Sequence, residues 1–443
     1  MRTQSVYEKP IELHTVLKFT LPTMLMMAFT SLYTLVDGVV VSRFVGTNAL
    51  SAINIVFPLI TMISGVGFMF STGGTAIAAK RMGEGRQADA NSFFTLLALA
   101  TGAVSLLLSA GTLALGDELY YLLGADDSLL DYCVQYGRIM LLGNAVSMLQ
   151  ILFQSFLIAA DRPRLGLILT VLCGLCNMIL DVLFVHTLDM GIAGAAAATI
   201  TSAAVGCVFP IFYFMSGRTA LRFSRPVFDG RALLFAMANG SSEMVSNLAS
   251  SVTTFLYNIQ MLRLAGNAGV AAITAVLYSQ FLFSSLLIGF TTGCAPLVSF
   301  HYGAGNREKL RALFRLCLRI VFTVSGAMFL LAELSAESAI GVFAGNDAAM
   351  AEIGVRGFRI FSVSYLLCGL NIFASGFFTA LCNGKVSAGI SVLRTFLLQV
   401  GAILLLPLIF KVDGVFAAIP VAELLTAFVS AALFARFRRR YGY

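Results

Sequence analysis

Segments of ~20 or more largely apolar residues, each long enough to cross ~30 Å of hydrocarbon, follow one another along the whole chain. Twelve can be counted: 16–41, 50–78, 92–115, 132–158, 164–187, 191–215, 232–260, 269–299, 312–334, 353–381, 387–410 and 414–436. Water is absent from the bilayer core, so main-chain N–H and C=O groups must pair within each segment. Strand-length alternation is missing, which leaves helices as the solution. Little chain remains outside these segments, so there is no room for a soluble catalytic domain. A composition of 58% hydrophobic and 12% charged residues, with a mean hydropathy of +0.89, likewise excludes an ordinary soluble protein. The expected fold is an all-α polytopic membrane protein with twelve transmembrane helices. The first apolar stretch contains Pro22 and ends in Asp37 and Arg43 with no small-residue cleavage site. It reads as a retained span and not as a signal peptide.

Lys and Arg set the orientation. With both termini and the even-numbered loops on one side, most of the 29 basic residues gather there, among them Lys80, Arg81, Arg86, Arg307 and Arg436 to Arg440. The opposite loops carry Asp117, Glu118, Asp126, Asp127 and Asp131. Both termini are therefore predicted to be cytoplasmic. The net charge of +7 belongs to topology and contact with anionic lipid, and nucleic acid is not an expected partner. The eight cysteines lie in or beside the spans, and the CxxC of Cys173 and Cys176 falls in mid-membrane, where packing is its ordinary role.

Sliding the chain by 220 residues aligns its halves without a gap over positions 43–85. Identical pairs include Arg43/Arg263, Gly46/Gly266, Ala52/Ala272, Phe70/Phe290, Thr72/Thr292, Gly73/Gly293 and Gly83/Gly303. Such self-similarity marks a doubled unit. Six spans per copy is an even number, so both copies share one orientation and the pseudo-twofold runs along the membrane normal, enclosing a cavity between the copies. The expected organisation is an N-terminal six-helix lobe (1–217), a basic linker (218–231) containing Pro226, and a C-terminal six-helix lobe (232–443).

Inside this scaffold, Asp37 and Asp181 are unusual, because a carboxylate at a helix centre in hydrocarbon costs at least ~2.5–3.5 kcal/mol. Tyr33 precedes Asp37 by four residues and Asn177 precedes Asp181 by four, so each pair shares one helix face. Counting inward at 1.5 Å per residue puts Asp37, Asp181 and Thr199 all ~12–13 Å from the outer surface, with Tyr136 shallower. The second copy carries Tyr257 and, near an offset of 222, Ile403 where the first has Asp37 and Asp181. The carboxylates are thus no inherited scaffold. The oxygen ligands of Asp37, Asn177, Asp181 and Thr199 suit a proton or a hard cation such as Na⁺, and the absence of His or Cys argues against zinc or copper. Capping or hydrogen bonding between helices is the alternative for each. Glu243, Arg394 and Glu423 also fall within spans; an Arg–Glu pair bracing the C-terminal lobe and a second ion or substrate site both remain open. Pro22 gives the first span a place to bend, because proline removes a helical hydrogen bond.

The sequence resembles the multidrug and toxin extrusion (MATE) family over essentially its whole length. The resemblance is carried by Pro22, VDGVVVSRFVG at 36–46, the AAKRMGEGR and SFHYGAGNR loops after spans two and eight, and NMILD at 177–181. It implies a V-shaped pair of six-helix lobes that extrudes organic cations or drugs in exchange for H⁺ or Na⁺. It further implies a coupling and substrate cavity at Tyr33, Asp37, Tyr136, Asn177, Asp181 and Thr199, with Pro22 as hinge. No resident cofactor is expected, only the coupling ion, and the protein is expected to work as a monomer in the cell inner (plasma) membrane. The alternative is a lipid-linked oligosaccharide flippase of the same superfamily, whose anionic pyrophosphate would want Arg and Lys in the cavity. An enzyme is not expected, since GxGD, HExxH, Gly-x-Ser-x-Gly and P-loop signatures are all missing.

Overall fold

Helices account for the described chain from Leu13 to Tyr441: α1 (Leu13–Phe44), α2 (Thr47–Gly83), α3 (Gln87–Ala114), a short α4 (Glu118–Leu122), α5 (Leu130–Ala159), α6 (Pro163–Asp181), α7 (Gly191–Met215), α8 (Gly230–Gly303), α9 (Arg307–Ala344), α10 (Ala348–Ser362), α11 (Tyr365–Ala380), α12 (Gly384–Ser391) and α13 (Val400–Tyr441). The computed structural model describes residues 5–45, 47–217, 219–344 and 347–443, and of residues 35, 37–44 and 47 the main chain alone. Asp37 therefore lies outside the described side chains. Capping fixes several starts: Asp229 accepts from the Ala232 N–H (3.0 Å), Asp347 from Met350 (3.0 Å), and Asn306 from Lys309 (2.9 Å).

Among the described residues nine helices are long and apolar enough to cross a membrane, and α10 with α11, bent by 50°, makes a tenth. Two of the nine are double. The 74-residue α8 is ~110 Å long at 1.5 Å per residue, far more than one crossing needs. It breaks at Gly266 (φ 62°, ψ −153°), a conformation open to glycine and closed to most side chains. The 58-residue run Gly384–Tyr441 breaks at Lys411 (φ 51°, ψ −127°). Twelve crossings result, six in α1–α7 and six in α8–α13. The sequence places spans seven and eight, and eleven and twelve, as separate helices; the structure joins each pair through a single non-helical residue. It also turns Val182–Thr187 and Val392–Gln399 into wider π-helical segments, which apolar patterning does not reveal.

The repeat reaches well beyond positions 43–85. In the first lobe Phe94 packs on Phe153, Phe214 and Phe223, at centroid separations of 6.2, 4.8 and 5.0 Å. In the second, Phe314 packs on Phe373, Phe434 and Tyr443, at 6.3, 5.0 and 4.6 Å. Each residue of the second quartet lies 220 positions after its mate in the first. The linker residue Phe223 thus does for its lobe what Tyr443 does for the other. The linker itself lies along α3: Gln87 Nε2 donates to the Ala220 carbonyl (2.7 Å), while Arg222, Ser224 and Val227 donate their N–H groups to Asn91 Oδ1, Thr95 Oγ1 and Ser92 Oγ.

The lobes meet through glycine near the face that carries both termini. A methyl group on Gly73 or Gly240 would run into the other helix's main chain, at Ala236 and Met69 respectively, so α2 and the first arm of α8 touch backbone to backbone. Gly83 and Gly303, themselves repeat mates, make the same contact between α2 and the second arm, at Phe300 and Lys80. Gly289 and Gly293 seat α1 at Thr20, Thr23 and Met24, directly beside Pro22. Small residues allow this approach where lipid supplies no hydrophobic drive between helices. A strap then crosses the seam. Val6 N donates to Asp161 Oδ2 (3.0 Å) and Tyr7 Oη to the Ala159 carbonyl (2.6 Å) on one lobe, while the Tyr7 ring stacks 4.5 Å from Phe300 and Lys309 Nζ donates to the Glu8 carbonyl (3.1 Å) on the other.

Away from that face the lobes differ. The second lobe has one continuous core containing Tyr257, Ile273, Phe358, Phe361, Ile403 and Phe416. Among the described residues, the first has only small separate clusters there, around Ala52 and Cys133, Leu59 and Met148, and Val185 and Ala195.

Candidate functional site

Asp181 ends the regular part of α6 and is fully buried; Asn177, one turn earlier, is 3% exposed. The π segment begins immediately afterwards, at Val182. Gly174, Asn177 and Asp181 stand at i, i+3 and i+7, one stripe of the helix. Phe29 and Tyr33 of α1 cover this stripe: a methyl group on Gly174 would lie 3.2 Å from Tyr33 Cδ1. The structure therefore brings Tyr33 to the helix face that bears Asn177 and Asp181.

On the other side of α6 runs α7, where a methyl on Gly206 would meet Cys173 Sγ at 2.9 Å. Thr199 lies two turns along α7, half-buried, donating its hydroxyl proton to the Ala195 carbonyl (3.1 Å). Its oxygen lone pairs remain able to accept from, or coordinate, a cation. Tyr136 is half-buried and packs against the cluster of Ala49, Ala52, Cys133 and Ile192, toward the Gly191 end of α7. Tyr33, Asn177 and Asp181 thus share the α1–α6 interface, Thr199 flanks it, and Tyr136 sits nearer the rim. Among the described residues no group of three His, Cys, Asp or Glu forms a metal cluster, so a hard cation here would rest on mixed oxygen ligands.

Sequence reasoning missed the polar floor of this region. Gln154 Nε2 donates to Thr170 Oγ1 (3.2 Å), and Gln150 lies against Gly206. The signal was there, two glutamines at i, i+4 inside an apolar span.

In the second lobe the buried charges resolve into one pair. Arg394 donates from Nε (2.8 Å) and Nη2 (2.6 Å) to Glu423 Oε1, and Asn371 Nδ2 donates to Glu423 Oε2 (2.7 Å). Ser430 completes the set by donating to Asn371 Oδ1 (2.8 Å). This is the bracing pair anticipated from sequence. Glu243 takes no part in it and opens instead onto a cavity between the lobes.

A family model described as MatE matches residues 22–183 and matches again at 244–404. The chain belongs to the MatE family. The second match starts 222 residues after the first, so the model recognises each lobe separately, in keeping with the repeated aromatic quartets. The chain is similar to multidrug export protein MepA of Staphylococcus saprophyticus subsp. saprophyticus, with 22% identity across 94% of this chain and 91% of that one. MepA of Staphylococcus aureus is 23% identical, across 96% and 95%. A crystal structure of MATE in the straight conformation superposes with a TM-score of 0.92 at 22% identity, covering 100% of this chain and 99% of that one. The MatE fold, a multi-pass bundle of two six-helix lobes, is the fold of this chain.

Proposed function

We infer that the protein is a secondary active efflux antiporter, which exports organic cations or drugs and takes in H⁺ or Na⁺ at the buried carboxylates of the first lobe. The observation that carries this reading is Asp181, a fully enclosed carboxylate beside Asn177, on a helix face that Tyr33 closes. A buried acid of this kind is costly in a membrane and is kept for transport. The other lobe lends support. Tyr257 and Ile403, which the repeat sets against Asp37 and Asp181, belong to one packed apolar cluster, so the second lobe fills with core the positions where the first carries acids.

Cargo and ion then compete for the same carboxylates. A cationic substrate neutralises the pocket from the inside. An arriving proton, or Na⁺ held by Asp37, Asn177, Asp181 and Thr199, displaces it and bends α1 at Pro22. Exchange follows because each ligand excludes the other, and rocking of the lobes alternates access. Both termini face the cytoplasm in this scheme, the plasma membrane houses the protein as a monomer, and the cargo leaves chemically unchanged. A flippase for an anionic pyrophosphate is less well served, because Arg394, deep in the spans, is already held by Glu423. The named multidrug export function of the MepA relatives also favours drug export.

The test is ethidium efflux from proteoliposomes with pH and Na⁺ gradients imposed separately. Asp181→Asn and Asp37→Asn are expected to abolish gradient-driven efflux while the protein stays monodisperse in detergent. Full efflux by either variant removes that carboxylate from the mechanism.

A further inference from the structure

We propose that the end of α9 nearest the termini binds an anionic phospholipid, whose phosphate Arg311 and Arg315 clamp while Arg319 reaches it from one turn deeper. The site lies on the outside of the second lobe and is independent of the cargo. Arg311, Arg315 and Arg319 stand at i, i+4 and i+8, so they share one face of α9 and span ~12 Å along its axis. All three are exposed, and among the described residues none has an acid at ion-pair distance, Glu308 of the same helix included. Like charges one turn apart on a helix repel. Arg315 and Arg319 also fall inside the apolar span counted at 312–334, where a cation is costly. Three such cations on one face call for an anion.

The repeat shows what this face does in the other lobe. Phe94 and Phe314 are mates, so Asn91, Thr95 and Leu99 of α3 correspond to Arg311, Arg315 and Arg319. Asn91 and Thr95 hold the linker, accepting from the Arg222 and Ser224 N–H groups at 3.2 and 3.0 Å. On α9 the face is open, and two long donors replace the small acceptors. Such a face recognises an acceptor from outside the chain. Its surroundings give the class of that acceptor. Phe322, Leu330 and Leu334 continue the same stripe and are 49%, 59% and 85% exposed, as befits a helix turned toward acyl chains. The arginines lie at the end beside the strap, where Lys309 Nζ donates to the Glu8 carbonyl (3.1 Å). Each Cα–Cβ bond of a helix tilts toward its N-terminus, so Arg315 and Arg319 lean back to that surface and keep their heads at headgroup level. Guanidinium forks pair with phosphate through two parallel hydrogen bonds. A cationic zone above an apolar track fits a phospholipid of net negative charge. Free phosphate would leave the track unused, and a zwitterionic lipid would bring its own ammonium to the arginines.

The test is native mass spectrometry of the full chain in detergent, titrated with palmitoyl-oleoyl phosphatidylglycerol or with the matching phosphatidylcholine. Wild type is expected to bind one phosphatidylglycerol about tenfold more tightly than phosphatidylcholine. Arg311→Gln/Arg315→Gln should lose that preference, while Arg319→Gln and Arg311→Lys/Arg315→Lys should each weaken binding about threefold. Arg225→Gln/Arg231→Gln removes the same charge from exposed positions near the linker and should leave binding unchanged. Equal melting temperatures in lipid-free detergent exclude a folding defect; if the double glutamine variant fails that check, the lysine pair and Arg319→Gln decide. The site is overturned if the α9 variants bind phosphatidylglycerol as wild type does. It is overturned equally if the linker variant loses as much, since the attraction is then diffuse surface charge. Displacement of the lipid by millimolar inorganic phosphate would make the ligand a soluble anion, and a dimer that the α9 variants break would give the face to a second copy; either result ends the lipid assignment.

Discussion

Removing the guanidinium of Arg394 would leave Glu423, with 4% of its side chain exposed, as a charge in hydrocarbon without its counterion. Arg394→Met is expected to lower stability by about 3–5 kcal/mol, the usual range for breaking one partner of a buried pair. The double variant Arg394→Met/Glu423→Leu should recover most of it. Thermal unfolding in one detergent, comparing single and double variants, checks both statements, and equal melting points for wild type and Arg394→Met would refute the first. The charges themselves were legible in the sequence, as were Tyr33, Asn177 and Asp181 with their four-residue spacings. Which glutamate Arg394 would choose was not. Glu243 and Glu423 lie on separate spans, and periodicity within a helix says nothing about the height or rotation of another.

At the scale of helices, spans and their order follow from apolar length, and capping residues such as Asp229 and Asp347 mark two starts plainly. The breaks were less visible. Gly266 could be read as a repeat mate of Gly46, but Lys411 in a left-handed conformation has no sequence signature, and neither have the π segments at 182–187 and 392–399. These depend on tertiary packing that pulls a turn open. Pro22 was visible in the sequence, and the structure seats the helix around it on Gly289 and Gly293. Pro22→Ala is expected to restore the missing main-chain bond, stiffen α1, and slow ion-driven ethidium efflux severalfold with little change in cargo affinity. Unaltered exchange kinetics would remove the hinge. Gly83→Ala places a methyl against the Phe300 carbonyl. It should spread the seam and raise methanethiosulfonate labelling of Thr75→Cys from the termini-bearing face about tenfold.

Taken as a whole, the molecule is more regular than the 43-residue match suggested. Phe94, Phe153, Phe214 and Phe223 were all in the sequence at the same offset from their partners, yet isolated phenylalanines in apolar spans carry no weight until three-dimensional contacts link them. Among the described residues the lobes depart from symmetry in the half away from the termini, where the second has a filled core and the first has small separate clusters beside Asn177 and Asp181. The strap of residues 5–12 spans both lobes, so its release should accompany any separation at that face. Asp161→Ala, which removes the acceptor of Val6 N, is expected to expose Tyr7 and speed chymotryptic cleavage after it at least tenfold. No change in cleavage would mean that the strap is held by other contacts. The seam beneath it is joined by main chain against main chain at Gly73, Gly83, Gly240 and Gly303. A door hung on peptide backbone is indifferent to what passes through it. Residues that line the passage can drift to suit new compounds generation after generation, while the closure keeps its fit.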